Sequence, residues 1–189
     1  MPLKEKQPRI LPAEPPFDDE TQAVLELLGP PISLFRVFAR NPARARGLAG
    51  WGHYYLSRKL SLTLRHRELV IDRTVALCGA DYEWGVHIAA YADKVGLTAA
   101  QSDSLAHGSP ADECWDAADR AVIAGVDELH ESHDLGDLSW ATLVEHLGED
   151  GVMDLLLLAG WYHAIAFTAR ALRLPLEKGT RGLDAHPRE

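Results

Sequence analysis

Cysteine is scarce in this chain, and its cysteines form no paired motif. Only two of the 189 residues are cysteine, Cys78 and Cys114, and no C-x-x-C sequence occurs. This argues against a disulfide framework and against a zinc knuckle, both of which need several cysteines at short spacings. A reducing, cytoplasmic environment is therefore the expected setting.

Positive charge is also in short supply. Lys and Arg total 19 against 28 Asp and Glu, for a net charge of −9. Nucleic acid is therefore not expected as the main partner, because phosphate binding requires clustered basic residues. The N-terminal sequence MPLKEKQPRILPAEPP contains no apolar stretch, so no signal peptide is expected there.

No apolar run is long enough to predict a membrane span. The longest, residues 152–171, is interrupted by Asp154 and Arg170. About fifteen residues lie between these charges, whereas a spanning helix needs roughly twenty. We expect a helix that is buried in the core or at a subunit interface, and no membrane partner.

The chain is predicted to be one all-α domain with two short extensions. Residues 1–17 carry five prolines and predict an extended arm, either disordered or lying on a neighbouring subunit. Residues 18–178 form the predicted helical domain, and residues 179–189 a C-terminal tail. No strand, hairpin or internal repeat is indicated, which favours a helical bundle. The predicted helices span residues 18–28, 32–40, 42–60, 64–78, 81–95, a segment opening at 98, about 109–131, 138–147 and 150–172.

Three ionisable residues on consecutive predicted helices could form an acid–base site. Glu68 shares the apolar stripe of its helix, where burial would raise the pKa of its carboxyl group. Glu83 and His87 are four residues apart and so share one face of the next helix. Two carboxylates and an imidazole could relay a proton. The spacing alone also permits exposed side chains or a divalent metal site.

The residues around this trio resemble the carboxymuconolactone decarboxylase family. The similarity lies in Arg67-Glu68-Leu69-Val70-Ile71 and Tyr82-Glu83-Trp84-Gly85-Val86-His87, and it covers about residues 30 to 178. The alkylhydroperoxidase D branch of this superfamily uses the frame Glu-x11-Cys-x2-Cys-x3-His. Here the same frame reads Glu68-x11-Ala80-x2-Glu83-x3-His87, and the decarboxylase-like branch resembles this chain more closely.

The missing redox pair argues against peroxide reduction. That chemistry needs a low-pKa thiolate and a resolving thiol, which Ala80 and Glu83 do not supply. Cys78 lies two residues before the first cysteine position, and two helical residues correspond to about 200° of rotation. We therefore expect Cys78 to point away from Glu83 and His87 as a small buried residue.

The resemblance implies an alkylhydroperoxidase D-like helical bundle, oligomeric as a dimer, trimer or hexamer, that needs neither cofactor nor metal. The implied activity is decarboxylation, or lactone or enol isomerisation, of a small organic acid or lactone. We assign acid–base transfer to His87, its orientation to Glu83 and tuning of their pKa values to Glu68. The predicted substrate-binding residues are Arg73, Trp84, Tyr82, Tyr162 and His163.

Other interpretations remain open. The same cluster could be a structural network in a non-catalytic small-ligand binder or oligomeric scaffold. Peroxidase activity is the weaker third alternative. The segment 127–134, DELHESHD, is dense in metal-ligand types but sits at a predicted helix end, and we interpret it as a solvated, charged terminus.

Overall fold

The computed structural model describes residues 7–185 of the chain. Within this range the fold is entirely α-helical apart from turns, loops and two short 3-10 turns, and it contains no strand. The predicted all-α class is therefore confirmed. The helices are α1 (Asp19–Leu28), α2 (Ser33–Ala39), α3 (Pro42–Tyr55), α4 (Leu64–Leu77), α5 (Asp81–Tyr91), α6 (Ala99–His107), α7 (Ala117–Ser132) and α8 (Asp137–Leu172).

Several helix starts follow from side-chain caps that the sequence predicts. Asn41 accepts a hydrogen bond from the backbone N–H of Arg44 and precedes Pro42 at the first position of α3. Thr98 and Gln101 form a reciprocal capping box at the start of α6. These caps satisfy backbone N–H groups that a helix start leaves without a partner.

Three predicted boundaries are wrong. The third helix ends at Tyr55 and not at residue 60, and the fifth ends at Tyr91 before a 3-10 turn. The start signal at Ser109 does not open α7, which begins after its cap Asp116. Asp112 instead accepts hydrogen bonds from Ser109 and from the Ser104 hydroxyl, so it closes the loop between α6 and α7.

The last helix is long, apolar and kinked. Gly148 has a left-handed φ of 72° inside α8, which separates the two segments that the sequence predicts on either side of it. By length and composition α8 could cross a membrane, but half of its most apolar stretch is buried inside the protein. A core helix passes the same composition test, so the absence of a membrane partner stays a prediction.

Helix α4 lies at the centre of the bundle and packs against α5, α6, α7 and α8. Every residue from 67 to 75 is buried, polar ones included. Leu69, Val70, Ile71 and Val75 supply its apolar contacts. Because α4 is surrounded on all sides, its charged residues must find partners inside the protein. This position of α4 creates the candidate site.

The described parts of both chain extensions contact the helical domain of their own chain. The arm is tied to the domain by Arg9 N–H donating to Leu172 O and by Arg36 binding Glu14. Residues 1–6 lie outside the described residues. At the other end, Leu183 is buried and its N–H donates to Asp81 at the start of α5. Residues 7–17 thus contact the helical domain of their own chain, and an arm that reaches a neighbouring subunit stays a prediction.

Candidate active site

Three buried side chains from three helices form a hydrogen-bonded chain. Glu68 of α4 is fully buried, and its Oε2 lies 2.9 Å from His87 Nδ1 of α5. His87 Nε2 lies 3.0 Å from the hydroxyl of Tyr162 on α8. In the neutral imidazole, Nδ1–H donates to the Glu68 carboxylate and the Tyr162 hydroxyl donates to Nε2. In the imidazolium, Nε2–H donates to the phenol oxygen.

Arg67 neutralises the charge on Glu68 from the neighbouring position in the chain. Its Nε donates to Glu68 Oε1 at 2.7 Å, and its Nη2 lies 2.6 Å from the same oxygen. The guanidinium also stacks over the ring of Tyr91, 4.9 Å from the ring centroid. Glu68 is therefore held between a guanidinium and an imidazole, and it serves as the anchor of the site.

The protonation of His87 follows from these neighbours. Burial by itself lowers the pKa of the imidazole, because it disfavours the charged form. The hydrogen bond that His87 donates to Glu68 and the charges of Glu68, Glu83 and Asp72 act in the opposite direction, and the net pKa of His87 is raised. Burial raises the pKa of the Tyr162 phenol far above its ordinary value, so Tyr162 keeps its proton.

Glu83 is a second buried carboxyl group of the site. It is buried on α5, and its Oε1 has no hydrogen-bond partner among the described residues. Burial raises the pKa of the Glu83 carboxyl to about 7, and the charge of His87 limits the rise. A carboxyl group that titrates near neutral pH can both take and return a proton.

Asp72 is a buried acid that the sequence analysis missed. It lies one helical turn after Glu68 on α4, and its Oδ1 has no hydrogen-bond partner within the described part of the chain. Burial, and then the charge of Glu68, raise the pKa of Asp72 well above its usual range. The i,i+4 spacing from Glu68 on a buried stripe was the available signal.

An apolar cavity of about 300 Å³ opens beside Glu83 and His87. Its polar lining consists of those two residues with Tyr91, Tyr162 and His53, and no Lys or Arg of residues 7–185 lines it. Most of the wall comes from residues 28–56, which run from the end of α1 to just past α3 and which the sequence analysis did not connect with the site. The apolar lining residues are Leu28, Pro30, Ile32, Leu34, Phe35, Phe38, Leu48, Ala49, Leu56, Val86, Ala90, Trp161 and Ile165.

The structure brings some of the predicted site residues together and separates others. His87, Glu83 and Tyr162 line the cavity, and Glu68 lies directly behind His87. Trp84 is fully buried away from the cavity. The Tyr82 hydroxyl donates to Glu177 and accepts from Leu34 N–H, which makes it a link between segments.

Arg73 and His163 also lie elsewhere. The guanidinium of Arg73 binds the Asp127 carboxylate and the carbonyl oxygens of Ser104 and Leu105. It therefore does not approach the cavity as the sequence suggested. His163 faces His130 of α7. Which way each side chain points depends on the rotation of its helix about the helix axis. Sequence spacing shows which residues share a face of one helix, but it does not show how one helix is rotated relative to another.

A metal-ligand arrangement is present within the site. One ligand atom from each of Glu68, Asp72 and His87 lies within 4.8 Å of the others. If a divalent cation binds in this site, its ligands would be Glu68, Asp72 and His87, with Asp72 in place of the expected Glu83. A metal ion bound through His87 would have to replace one of the two hydrogen bonds that the His87 nitrogens make with Glu68 and Tyr162.

Both cysteines are free thiols outside the cavity lining. Burial raises the pKa of the Cys78 thiol, and the nearby Arg170 only partly offsets it. A raised pKa disfavours the thiolate that peroxide reduction requires.

Comparison with known proteins identifies the fold. The structure is similar to that of an uncharacterised peroxidase-related protein from Silicibacter sp. TM1040, with a TM-score of 0.77 and 18% identity over 94% of this chain and 96% of that one. It also resembles a protein of unknown function from Agrobacterium tumefaciens, described as an antioxidant defence protein AhpD, with a TM-score of 0.63 and 15% identity over 73% of this chain and 93% of that one. No family model and no curated protein matches the sequence. The protein thus has the AhpD-like helical fold.

Proposed function

We propose that this protein carries out cofactor-free acid–base chemistry on a small organic acid or lactone, as a carboxymuconolactone decarboxylase-like enzyme. The observation that carries the proposal is a buried carboxyl group, Glu83, with a pKa of about 7 at an apolar cavity, beside an imidazole that Glu68 and Tyr162 orient. Groups with such perturbed titration concentrate at functional sites.

The geometry modifies the roles expected from the sequence. Glu68, and not Glu83, makes the hydrogen bond that orients His87. Glu83 has an unpaired oxygen at the cavity and takes the role of proton carrier. The imidazolium form of His87 then donates Nε2–H to a substrate oxygen that displaces the Tyr162 hydroxyl, and it stabilises negative charge on that oxygen.

Isomerisation follows directly from these roles. The Glu83 carboxylate removes a proton from the carbon next to a carbonyl group, and the electron pair of that C–H bond moves onto the carbonyl oxygen. His87 stabilises the resulting enolate through hydrogen bonding. Glu83 then returns the proton to a different carbon of the conjugated system. In decarboxylation the C–C bond breaks with loss of CO2, and protonated Glu83 delivers its proton to the carbanionic carbon.

The cavity wall favours an uncharged substrate. Arg73, predicted to bind substrate, is paired with Asp127, and its neighbours Arg65 and Arg67 are paired with Asp119 and Glu68. With no Lys or Arg side chain of the described residues in the lining, a second carboxylate on the substrate would lack a guanidinium or ammonium partner. Within the proposed class, we therefore favour lactone or enol isomerisation over decarboxylation of a dicarboxylate.

The test is a substrate screen with separate readouts. Purified protein is incubated with lactones, carboxylated lactones, β-keto acids and peroxides, while C–H exchange in D2O, CO2 release and peroxide loss are followed independently. We expect exchange or CO2 release without peroxide loss. Glu83→Gln and His87→Gln should each abolish it, whereas Glu145→Gln on the exposed face of α8 should not. Retained activity in both site variants would exclude these roles.

A non-catalytic, small-ligand-binding role is the alternative. It is favoured by the occupation of both His87 nitrogens within the protein, as in a purely structural network. Saturable binding of a screened compound with no exchange, no CO2 release and no peroxide loss would support this alternative.

A further inference from the structure

A second cluster of ligand-type side chains lies outside the cavity lining, where α4, α7 and α8 meet. Cys78 follows the last residue of α4, His130 lies in the last turn of α7, and His163 lies in the C-terminal half of α8. One ligand atom from each of the three lies within 4.8 Å of the others. The sequence analysis treated these residues separately, because 33 positions separate the two histidines in the chain.

The two imidazoles already face each other through the atoms that a metal ion would use. His163 Nδ1–H donates to the backbone oxygen of Ala159 at 2.8 Å, which leaves the lone pair of His163 on Nε2. His130 Nδ1 lies 2.9 Å from this Nε2, and the rings stack with 5.1 Å between their centroids. Phe167 packs edge-on against His163, 6.0 Å from its centroid, and restricts the rotation of the ring.

We propose that Cys78, His130 and His163 bind one Zn²⁺ ion, with solvent as the fourth ligand. A thiolate and two neutral imidazoles are a favoured ligand set for zinc, and three protein ligands leave one tetrahedral position open. The hydrogen bond from His163 to Ala159 is the kind of outer contact that orients a metal-bound histidine.

The required adjustment is small. Zinc lies about 2.3 Å from sulfur and about 2.0–2.1 Å from nitrogen, so its ligand atoms are separated by roughly 3.3–3.6 Å in a tetrahedral site. The His130–His163 pair must open slightly, and Cys78 must close by about 1.2 Å if it starts at the 4.8 Å limit, and by less if it starts nearer. Rotation about side-chain torsions covers such shifts.

Protons balance on binding. The Cys78 thiol releases its proton to solvent, and His130 moves its proton from Nδ1 to Nε2, so that Nδ1 can coordinate the metal. Cys78 is buried, whereas His130 and His163 are half-buried, so the ion enters from the histidine side. The bound ion would connect three helices of the core and should stabilise the native state.

The experiment measures zinc binding by the full chain. Chelator-treated protein is titrated with Zn²⁺ by calorimetry, and Tm is recorded with and without the ion. We expect one Zn²⁺ per chain and an increase in Tm. Substitution of Co²⁺ should produce a thiolate-to-cobalt charge-transfer band, a direct sign of a sulfur ligand.

Variants decide whether these three residues are the ligands. Cys78→Ser, His130→Asn and His163→Gln should each weaken zinc binding by more than about 100-fold, since changes in outer contacts alone cost about 10- to 100-fold. Cys114→Ser and His133→Asn are matched controls that should bind normally. The folding of each variant is checked by its circular dichroism and its Tm without metal.

Two results would overturn the proposal. One is the absence of stoichiometric zinc binding by the wild-type protein. The other is binding that survives in Cys78→Ser and His163→Gln but is lost in His87→Gln, which would place the ion at Glu68, Asp72 and His87 instead.

Discussion

Three carboxyl groups, from Glu68, Asp72 and Glu83, are buried around one imidazole. Only Glu68 is paired with a guanidinium, through the contact with Arg67. The other two have raised pKa values, chiefly because burial disfavours their charged forms. The site thus contains one carboxyl group held by a guanidinium and two carboxyl groups whose burial favours the protonated form.

The raised pKa of Glu83 makes stability depend on pH in a defined direction. The native protein binds the proton more tightly than the unfolded chain, so stability falls as pH rises from about 4.5 toward 7. The loss for this group is on the order of 3 kcal/mol, since one pKa unit corresponds to about 1.4 kcal/mol.

Glu83→Gln should therefore lose less stability than the wild type between pH 5 and pH 8, because a neutral amide does not titrate. Urea unfolding at both pH values measures the difference. Asp72 acts in the same direction in both proteins and cancels in the comparison. Equal losses in the two proteins would mean that Glu83 titrates normally.

Tyr162→Phe tests the hydrogen bond between the Tyr162 hydroxyl group and His87 Nε2. The substitution removes the hydroxyl group 3.0 Å from His87 Nε2 and leaves that nitrogen without its protein partner. We expect a loss of about 1–3 kcal/mol in the free energy of unfolding. Tyr54→Phe is the control, because its hydroxyl group binds Asp154 outside the cavity lining. A neutral effect of Tyr162→Phe would contradict a close contact with His87.

At the level of helices, the sequence predicted most of the fold because caps and breakers are local. Asn41 with Pro42, the Thr98 capping box and Gly148 all act within one turn of chain. The start of α7 was misjudged because Ser109 and Asp112 close a loop with the same residue types that cap a helix.

A pair of glycine substitutions tests the kink in α8. Gly148 has a φ of 72°, with no atom within 4 Å of an added Cβ, and Gly50 of α3 has equally open space with helical geometry. Gly148→Ala should cost about 1–2 kcal/mol, because alanine is strained at positive φ. Gly50→Ala should instead stabilise by about 0.5–1 kcal/mol. Thermal unfolding of both variants provides the comparison. A stabilising effect at Gly148 would mean that α8 can straighten.

At the level of the whole molecule, the candidate site is only partly predictable from sequence. Glu68, Glu83 and His87 were identifiable because polar residues on buried stripes are unusual and because their frame resembles a known one. The residues of α2 and α3 that line the cavity, such as Phe38 and Leu48, could not be recognised as cavity residues from the sequence. Apolar residues that line a cavity have the same pattern as those that fill a core, and only the packing of distant helices separates the two.

Exposed apolar side chains on α3 and α8 offer a candidate interface for the homo-oligomer, which stays a prediction. Trp51, Met153, Leu157 and Phe167 are all more than two-fifths exposed, and Trp51 and Leu157 border a shallow groove along α8. Patches of this kind usually mark a surface that associates with another molecule. If two copies of the chain pair through this groove, a charge at its centre would be buried without a partner on association.

Leu157→Lys should therefore lower the molar mass measured by light scattering during size-exclusion chromatography to that of a single chain. Leu138→Lys is the matched control. It introduces the same charge on the same helix at a residue that is 82% exposed, so it should leave the mass unchanged. A wild-type protein that runs as a single chain at high concentration would contradict the oligomer. Loss of assembly in both variants would indicate an interface at the start of α8 as well, since only a contact that includes Leu138 would respond to charge there.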